Sequence, residues 1–166
     1  FKVVSRPNNW QKVVKAAGTD DGANAVSATN AARQDFFAEV LTEVTTAIAA
    51  IRMPARTRTN WIAFSSGPFG YWAISFDGTG RLRLEAYIDM GSGVLNKQLF
   101  DEFKASAEVW EARAGFPLSW ERLDSKRASR IGAYLEVDIN DPADRATKQP
   151  EAAAVLVAMH QALNEE

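Results

Sequence analysis

The chain has 166 residues, 46% hydrophobic and 24% charged, with a formal net charge of −2. This is a one-domain length, and five Trp and nine Phe supply the bulk for a sizeable core. The absence of Cys excludes disulfides, thiol nucleophiles and Cys-based zinc sites, and no apolar run approaches the roughly 18 residues of a membrane-spanning helix.

The opening Phe1-Lys2-Val3-Val4 is too short for a signal-peptide core. With Phe in first place and no Cys anywhere, it reads as the cut edge of a longer, cytoplasmic protein. A short helix is expected from Asn8 to Ala17, capped by Asn8 or Asn9 after Pro7, and then a loop over Gly18–Asn30, rich in Gly, Asp and Asn. Residues 1–30 are therefore read as an N-terminal segment or a junction with an upstream domain, and residues 31–166 as a single domain.

From Ala31 to Ile51 the spacing of Phe37, Val40, Leu41, Val44 and Ile48 predicts an amphipathic helix stopped by Pro54. Arg52, Arg56 and Arg58 follow its end, where positive charge suits the helix dipole. Strands follow at Trp61–Ser66, Tyr71–Phe76 and Arg81–Met90. The second and third are joined by Asp77-Gly78-Thr79-Gly80, a strong hairpin signal. Alternation in the third strand sends Leu82, Leu84, Ala86, Ile88 and Met90 one way and Arg81, Arg83, Glu85, Tyr87 and Asp89 the other. A helix over Val94–Ala114 carries the ridge Leu95, Leu99, Phe103 and Trp110, with Gly115 as its C-cap. Two more strands, Leu118–Leu123 and Ile131–Asp138, flank a basic turn. A last helix spans Pro150–Asn164 with Ala152, Val155, Met159 and Leu163 inward.

The expected order is α-α-β-β-β-α-β-β-α. The fold class is α+β, a mostly antiparallel five-stranded sheet with helices mainly on one face. Charge is uneven along it: 8 basic residues stand against 5 acidic in 1–60, 9 against 9 in 61–130 and 2 against 7 in 131–166. An acidic end of that kind is ordinarily a solvated helix face.

Several segments invite a chemical reading. A helix followed by β-β-β-α-β is also the order of a restriction-nuclease core, in which Asp77 and Glu85 would hold Mg²⁺. The lysine such a site needs falls on Tyr87, so this divergent nuclease is only the alternative reading. His160 is the sole histidine, on the last helix, where packing explains it. Gly78-x-Gly80 precedes a strand and so is no phosphate loop. Asp138, Asp141 and Asp144 lack the glycine and glutamate of a calcium loop, and Asp141-Pro142 reads as a helix or turn start. No catalytic residue, metal ligand or cofactor site is assigned.

The polar face of the sheet is the candidate site. Alternation projects Trp61, Tyr71, Tyr87 and Tyr134 together with Arg81 and Arg83, with Lys126, Arg127 and Arg130 at the rim. Aromatics interleaved with arginines form a platform for unpaired bases; equally, exposed aromatics mark protein interfaces. The expected partner is a protein or neighbouring domain, with single-stranded nucleic acid and a second copy of the chain also considered.

The residues Phe36-Phe37, Asn60-Trp61-Ile62, Leu84-Glu85-Ala86-Tyr87-Ile88-Asp89, Asn96-Lys97, Phe100-Asp101, Trp120-Glu121-Arg122-Leu123, Lys126 and Ser129-Arg130-Ile131 resemble, in that order, an uncharacterised family of bacterial and archaeal domains of unknown function. The resemblance covers roughly residues 31–165. It implies an accessory domain lying C-terminal to a restriction-endonuclease-like domain, docking or oligomerising that partner. It carries no catalytic residues.

Overall fold

The stripe Phe36, Phe37, Val40, Leu41 and Val44 is the buried face of helix α1 (Trp10–Ala47). The computed structural model describes residues 10–55 and 60–164; the expected junction strand at residues 1–4, the proposed caps Asn8 and Asn9, and Arg56 and Arg58 lie outside them. At 38 residues, α1 is about 57 Å long. It runs unbroken through the expected loop at Gly18–Asn30, so the two N-terminal helices expected on either side of that loop are one. Gly in a helix costs only about 1 kcal/mol relative to Ala, and propagation from a packed C-terminal half adds a hydrogen bond per residue.

Strands β1 (Trp61–Gly67), β2 (Gly70–Phe76) and β3 (Leu82–Ile88) form an antiparallel meander. A bulge between Ala63 and Ser65 disturbs the outer strand β1, a feature that deters edge-to-edge pairing. Gly70 has φ +141°, and a Cβ there would lie 2.4 Å from the Tyr87 carbonyl oxygen, so only glycine fits this corner.

Helix α2 (Gly93–Ala105) starts at Ser92, whose Oγ accepts from the Leu95 N–H at 3.4 Å. The helix expected over 94–114 breaks at Ser106, and α3 (Ala107–Ala114) continues to Gly115, a left-handed C-cap at φ 84°. Strands β4 (Ser119–Glu121) and β5 (Ser129–Leu135) form the second hairpin, and β5 pairs with β3. The antiparallel sheet is thus ordered β1-β2-β3-β5-β4. Helix α4 (Pro142–Asn164) begins eight residues earlier than expected, with Pro142 at its first position and Pro150 inside it. Asp141 Oδ1 caps it by accepting from the Ala143 N–H at 2.9 Å.

The fold class is α+β as expected, with four helices and five strands among the described residues. The helices pack on one sheet face. Ile62, Trp72, Ile74, Phe76, Leu82, Leu84, Ala86, Ile88 and Ile131 meet Phe36, Phe37 and Leu41 of α1, Phe100 of α2 and Leu156 and Met159 of α4 in one cluster. Of the residues expected in this core, Leu99, Phe103, Trp110 and Leu135 are only partly buried against it. Met90, expected on the inward face of the third strand, is 52% exposed because β3 ends at Ile88. Leu95 is 55% exposed; Asn96 and Phe100 take the inward positions of α2 instead.

Candidate functional site

The β3 alternation that buries Leu82, Leu84, Ala86 and Ile88 turns Arg83, Glu85 and Tyr87 to the opposite face. The register sets Tyr71, Ala73 and Ser75 of β2 beside Tyr87, Glu85 and Arg83, and Arg130, Gly132 and Tyr134 of β5 beside the same three on the other side. Trp61 faces Ser75 from β1, and Glu121 faces Arg130 from β4. No described helix packs on this face, and Trp61 is 46% exposed.

A chain of alternating charge crosses it. Arg83 Nε lies 3.0 Å from Glu85 Oε2, Arg130 Nε contacts the same oxygen, and Arg130 Nη1 donates to Glu121 Oε2 at 2.8 Å. The Tyr134 hydroxyl and Ser119 Oγ donate to Glu121 Oε1. Glu85 is 5% and Arg130 9% exposed, although both sit on the open face; their neighbours and each other cover them. Burial raises the Glu85 carboxyl above its ordinary range, opposed by Arg130 and Arg83. Burial pulls the Arg130 guanidinium down, but Glu85 and Glu121 outweigh it and hold the cation.

The aromatic residues bracket this chain. Tyr71 and Tyr87 stack with centroids 5.0 Å apart. The Arg81 guanidinium lies 4.6 Å above the Tyr134 ring. Between Trp61, the tyrosine pair and Arg83 is a hollow of about 220 Å³, floored by the small residues Ala73 and Ser75.

The basic segment is arranged differently from the expectation. Arg130 is not at the rim but within β5. Arg127 pairs with Asp89 at 2.6 Å, and Arg122 with Asp101 at 2.9 Å and with Asp124. Lys126 is exposed at the turn, on the side of Gln98 and Asp101 of α2. The turn is held by Lys97, whose Nζ donates to the carbonyls of Arg122, Leu123 (2.9 Å) and Ala128 (2.6 Å) and to Ser129 Oγ (3.0 Å). Asn96 ties it down again, accepting from the Met90 N–H at 2.7 Å and donating to the Arg127 carbonyl at 3.1 Å.

The two carboxylates of the alternative nuclease reading do not converge. Glu85 is opposite Ala73, four residues before Asp77 on the paired strand, which separates the two by about 13 Å along the ladder. Asp77 is committed to its turn: it accepts from the Thr79 N–H (2.9 Å) and hydroxyl (2.6 Å), the Arg81 N–H (3.0 Å) and the Arg81 guanidinium. These donors, the Thr79 hydroxyl foremost, hold it well below the usual carboxylate range. Asp138, Asp141 and Asp144 cap the start of α4 and its approach, Asp144 accepting from the Asp138 N–H at 2.7 Å. His160 packs its ring on Trp72. Among the described residues no group of three or more His, Asp or Glu is placed to hold a metal ion, and no helix is long and apolar enough to cross a membrane.

Fold and face together define an α+β domain with one side of its sheet packed under helices and the other, polar and aromatic, left open by the helices among the described residues. The chain belongs to the family described as Domain of unknown function (DUF4268), whose model matches residues 32–166. Neither the curated proteins nor the solved structures give a match.

Proposed function

We propose that this chain is a non-catalytic interaction domain that docks a partner protein domain across the open face of its sheet. The observation that supports this most is the balanced charge of that face. Arg83 and Arg130 are set against Glu85 and Glu121, and Arg81 against Asp77. A nucleic-acid surface needs cations free to displace counterions from phosphates, and here each arginine already has a carboxylate. An exposed Trp, stacked Tyr and Arg in a polar frame are instead the residue types that anchor protein contacts. A nuclease-type partner is what the family resemblance implies; the docking reading needs only that the partner be a protein.

The test is photo-cross-linking in cells of the native host, with the photoreactive residue at position 61 on the open face or at position 98 on the exposed side of α2. A protein adduct formed at 61 and not at 98, and lost when Tyr87→Glu is added, supports the reading. Adducts to nucleic acid at 61, or equal adducts at both positions, overturn it.

A further inference from the structure

The hollow beside Arg83 is built on two unmet demands. The first is the row Arg83–Glu85–Arg130–Glu121. Its Glu121 end is closed by Tyr134 and Ser119. At the other end Arg83 Nε lies 3.0 Å from Glu85 Oε2 as an ion pair without hydrogen-bond geometry, and its two terminal nitrogens find no acceptor among the described residues. A guanidinium offers five N–H donors in a planar fork, and this one is 19% exposed at the hollow. The second is Ser75. Its side chain lines the same hollow, is 3% exposed, and its hydroxyl has no hydrogen-bond partner among the described residues. A buried hydroxyl left so costs free energy unless an incoming group supplies the bond.

The row Arg83–Glu85–Arg130–Glu121 is neutral overall, but Glu85 is shared with Arg130, and the Arg83 end of the row, which lines the hollow, keeps N–H donors to spare. The walls of the hollow are Trp61, Tyr71 and Tyr87. Donors at the floor, a forked cation at one side and flat apolar walls call for a planar acceptor that is negatively charged and carries an apolar body. An amide or alcohol would satisfy Ser75 but would not bring the two oxygens that the free side of the Arg83 fork can bind in parallel. A phosphate would bring two negative charges to a row that is already neutral.

We infer that the hollow binds a carboxylate borne on a flat apolar group, with the Arg83 fork and the Ser75 hydroxyl on its oxygens and Trp61 and the Tyr71–Tyr87 pair against its body. Two sources share this chemistry: a free aromatic acid, and the C-terminal carboxylate of a partner chain ending in an aromatic residue. The inference rests on the same face as the docking reading and names what the partner would insert there, though the hollow would take a free acid whether or not a protein docks.

The experiment is ¹H–¹⁵N NMR titration of the chain with benzoate at pH 7, against benzamide and acetate. Benzoate shifts the Trp61 indole and the Ser75 and Arg83 amides saturably, with a Kd of about 1 mM or tighter, within reach of so few atoms. Benzamide, which lacks the charge, and acetate, which lacks the ring, each bind at least about tenfold more weakly, a difference of ~1.4 kcal/mol. Arg83→Met weakens benzoate by at least about tenfold. Ser75→Ala, which removes an unpartnered hydroxyl and so keeps the fold, weakens it severalfold. A short peptide ending in Phe, free or amidated at its C-terminus, separates the sources: tighter binding of the free-ended peptide than of benzoate points to a chain end, the reverse to a free acid. No saturable shift, equal binding of benzamide, or full affinity in both variants overturns the inference. Protein adducts at position 61 with no benzoate binding would leave docking standing and remove this inference; the opposite result would do the converse.

Discussion

Trp72 and His160 lie ring against ring, 5.2 Å between centroids, where β2 meets α4. Trp72 is fully buried, and burial alone lowers the His160 pKa from its ordinary value. Folding therefore favours the neutral imidazole. The sign follows: its contribution to stability is complete above the unfolded pKa of about 6.5 and is lost as pH falls below that toward the lower folded value. Urea midpoints measured at pH 7.5 and 5.5 should drop for the parent chain and change less for His160→Gln. Equal drops in both would assign the effect to other groups.

Leu84 and Leu95 test the packing of the sheet and the register of α2. Leu84 is fully buried at the centre of β3, and Leu84→Ala should cost about 2–5 kcal/mol. Leu95→Ala, at an exposed position, should stay within about 0.5 kcal/mol. Phe103, partly buried against Phe69 at 6.0 Å, should fall between the two. Chemical denaturation of the three variants decides it.

Leu95 also shows where the sequence ran out. Periodicity alone chose Leu95, Leu99, Phe103 and Trp110 as the ridge, because it counts apolar residues only. The helix instead turns Asn96 inward, since its side chain satisfies the Met90 N–H and the Arg127 carbonyl at the sheet end. Strands were easier to read: alternation placed Arg83, Glu85 and Tyr87 on one face and the Asp77 hairpin at its turn. The sequence places Arg130 with the turn cations because nothing local reveals that Glu85 and Glu121 sit on the neighbouring strands beside it. Pro150 looked like a helix start because local rules favour it there; Asp141-Pro142 is the stronger start.

Lys97 should matter more than an ordinary half-exposed lysine. Lys97→Met strips the ammonium from the carbonyls of Arg122, Leu123 and Ala128 and should cost about 1–3 kcal/mol. Hydrogen exchange should locate the loss: faster exchange at 122–130, with β2 little changed. Uniformly faster exchange would mean that Lys97 supports the whole fold rather than this turn.

Glu85 is the keystone of the charged row. Glu85→Gln leaves Arg83 and Arg130 without their shared carboxylate and should destabilise the chain by about 1–3 kcal/mol. Adding Arg83→Met should recover part of that loss, because it removes the cation left without a carboxylate, Arg130 keeping Glu121. A double variant as unstable as the sum of the singles would show that the row is not coupled.

A short unstructured oligonucleotide should give no anisotropy change at low salt, because the arginines of the face and the turn already hold carboxylates. Binding with a steep salt dependence that Lys126→Ala and Arg127→Ala flatten would restore the nucleic-acid reading.

The claim that the open sheet face is a docking surface is tested most directly by hydroxyl-radical footprinting of Trp61, Tyr71 and Tyr87, in cells of the native host and in the purified chain. Met53, 48% exposed beside α1, serves as the control. Covered by a partner, the three aromatic residues should be oxidised several-fold less in cells than when purified, with Met53 unchanged. Equal oxidation of all three in both settings would contradict the account.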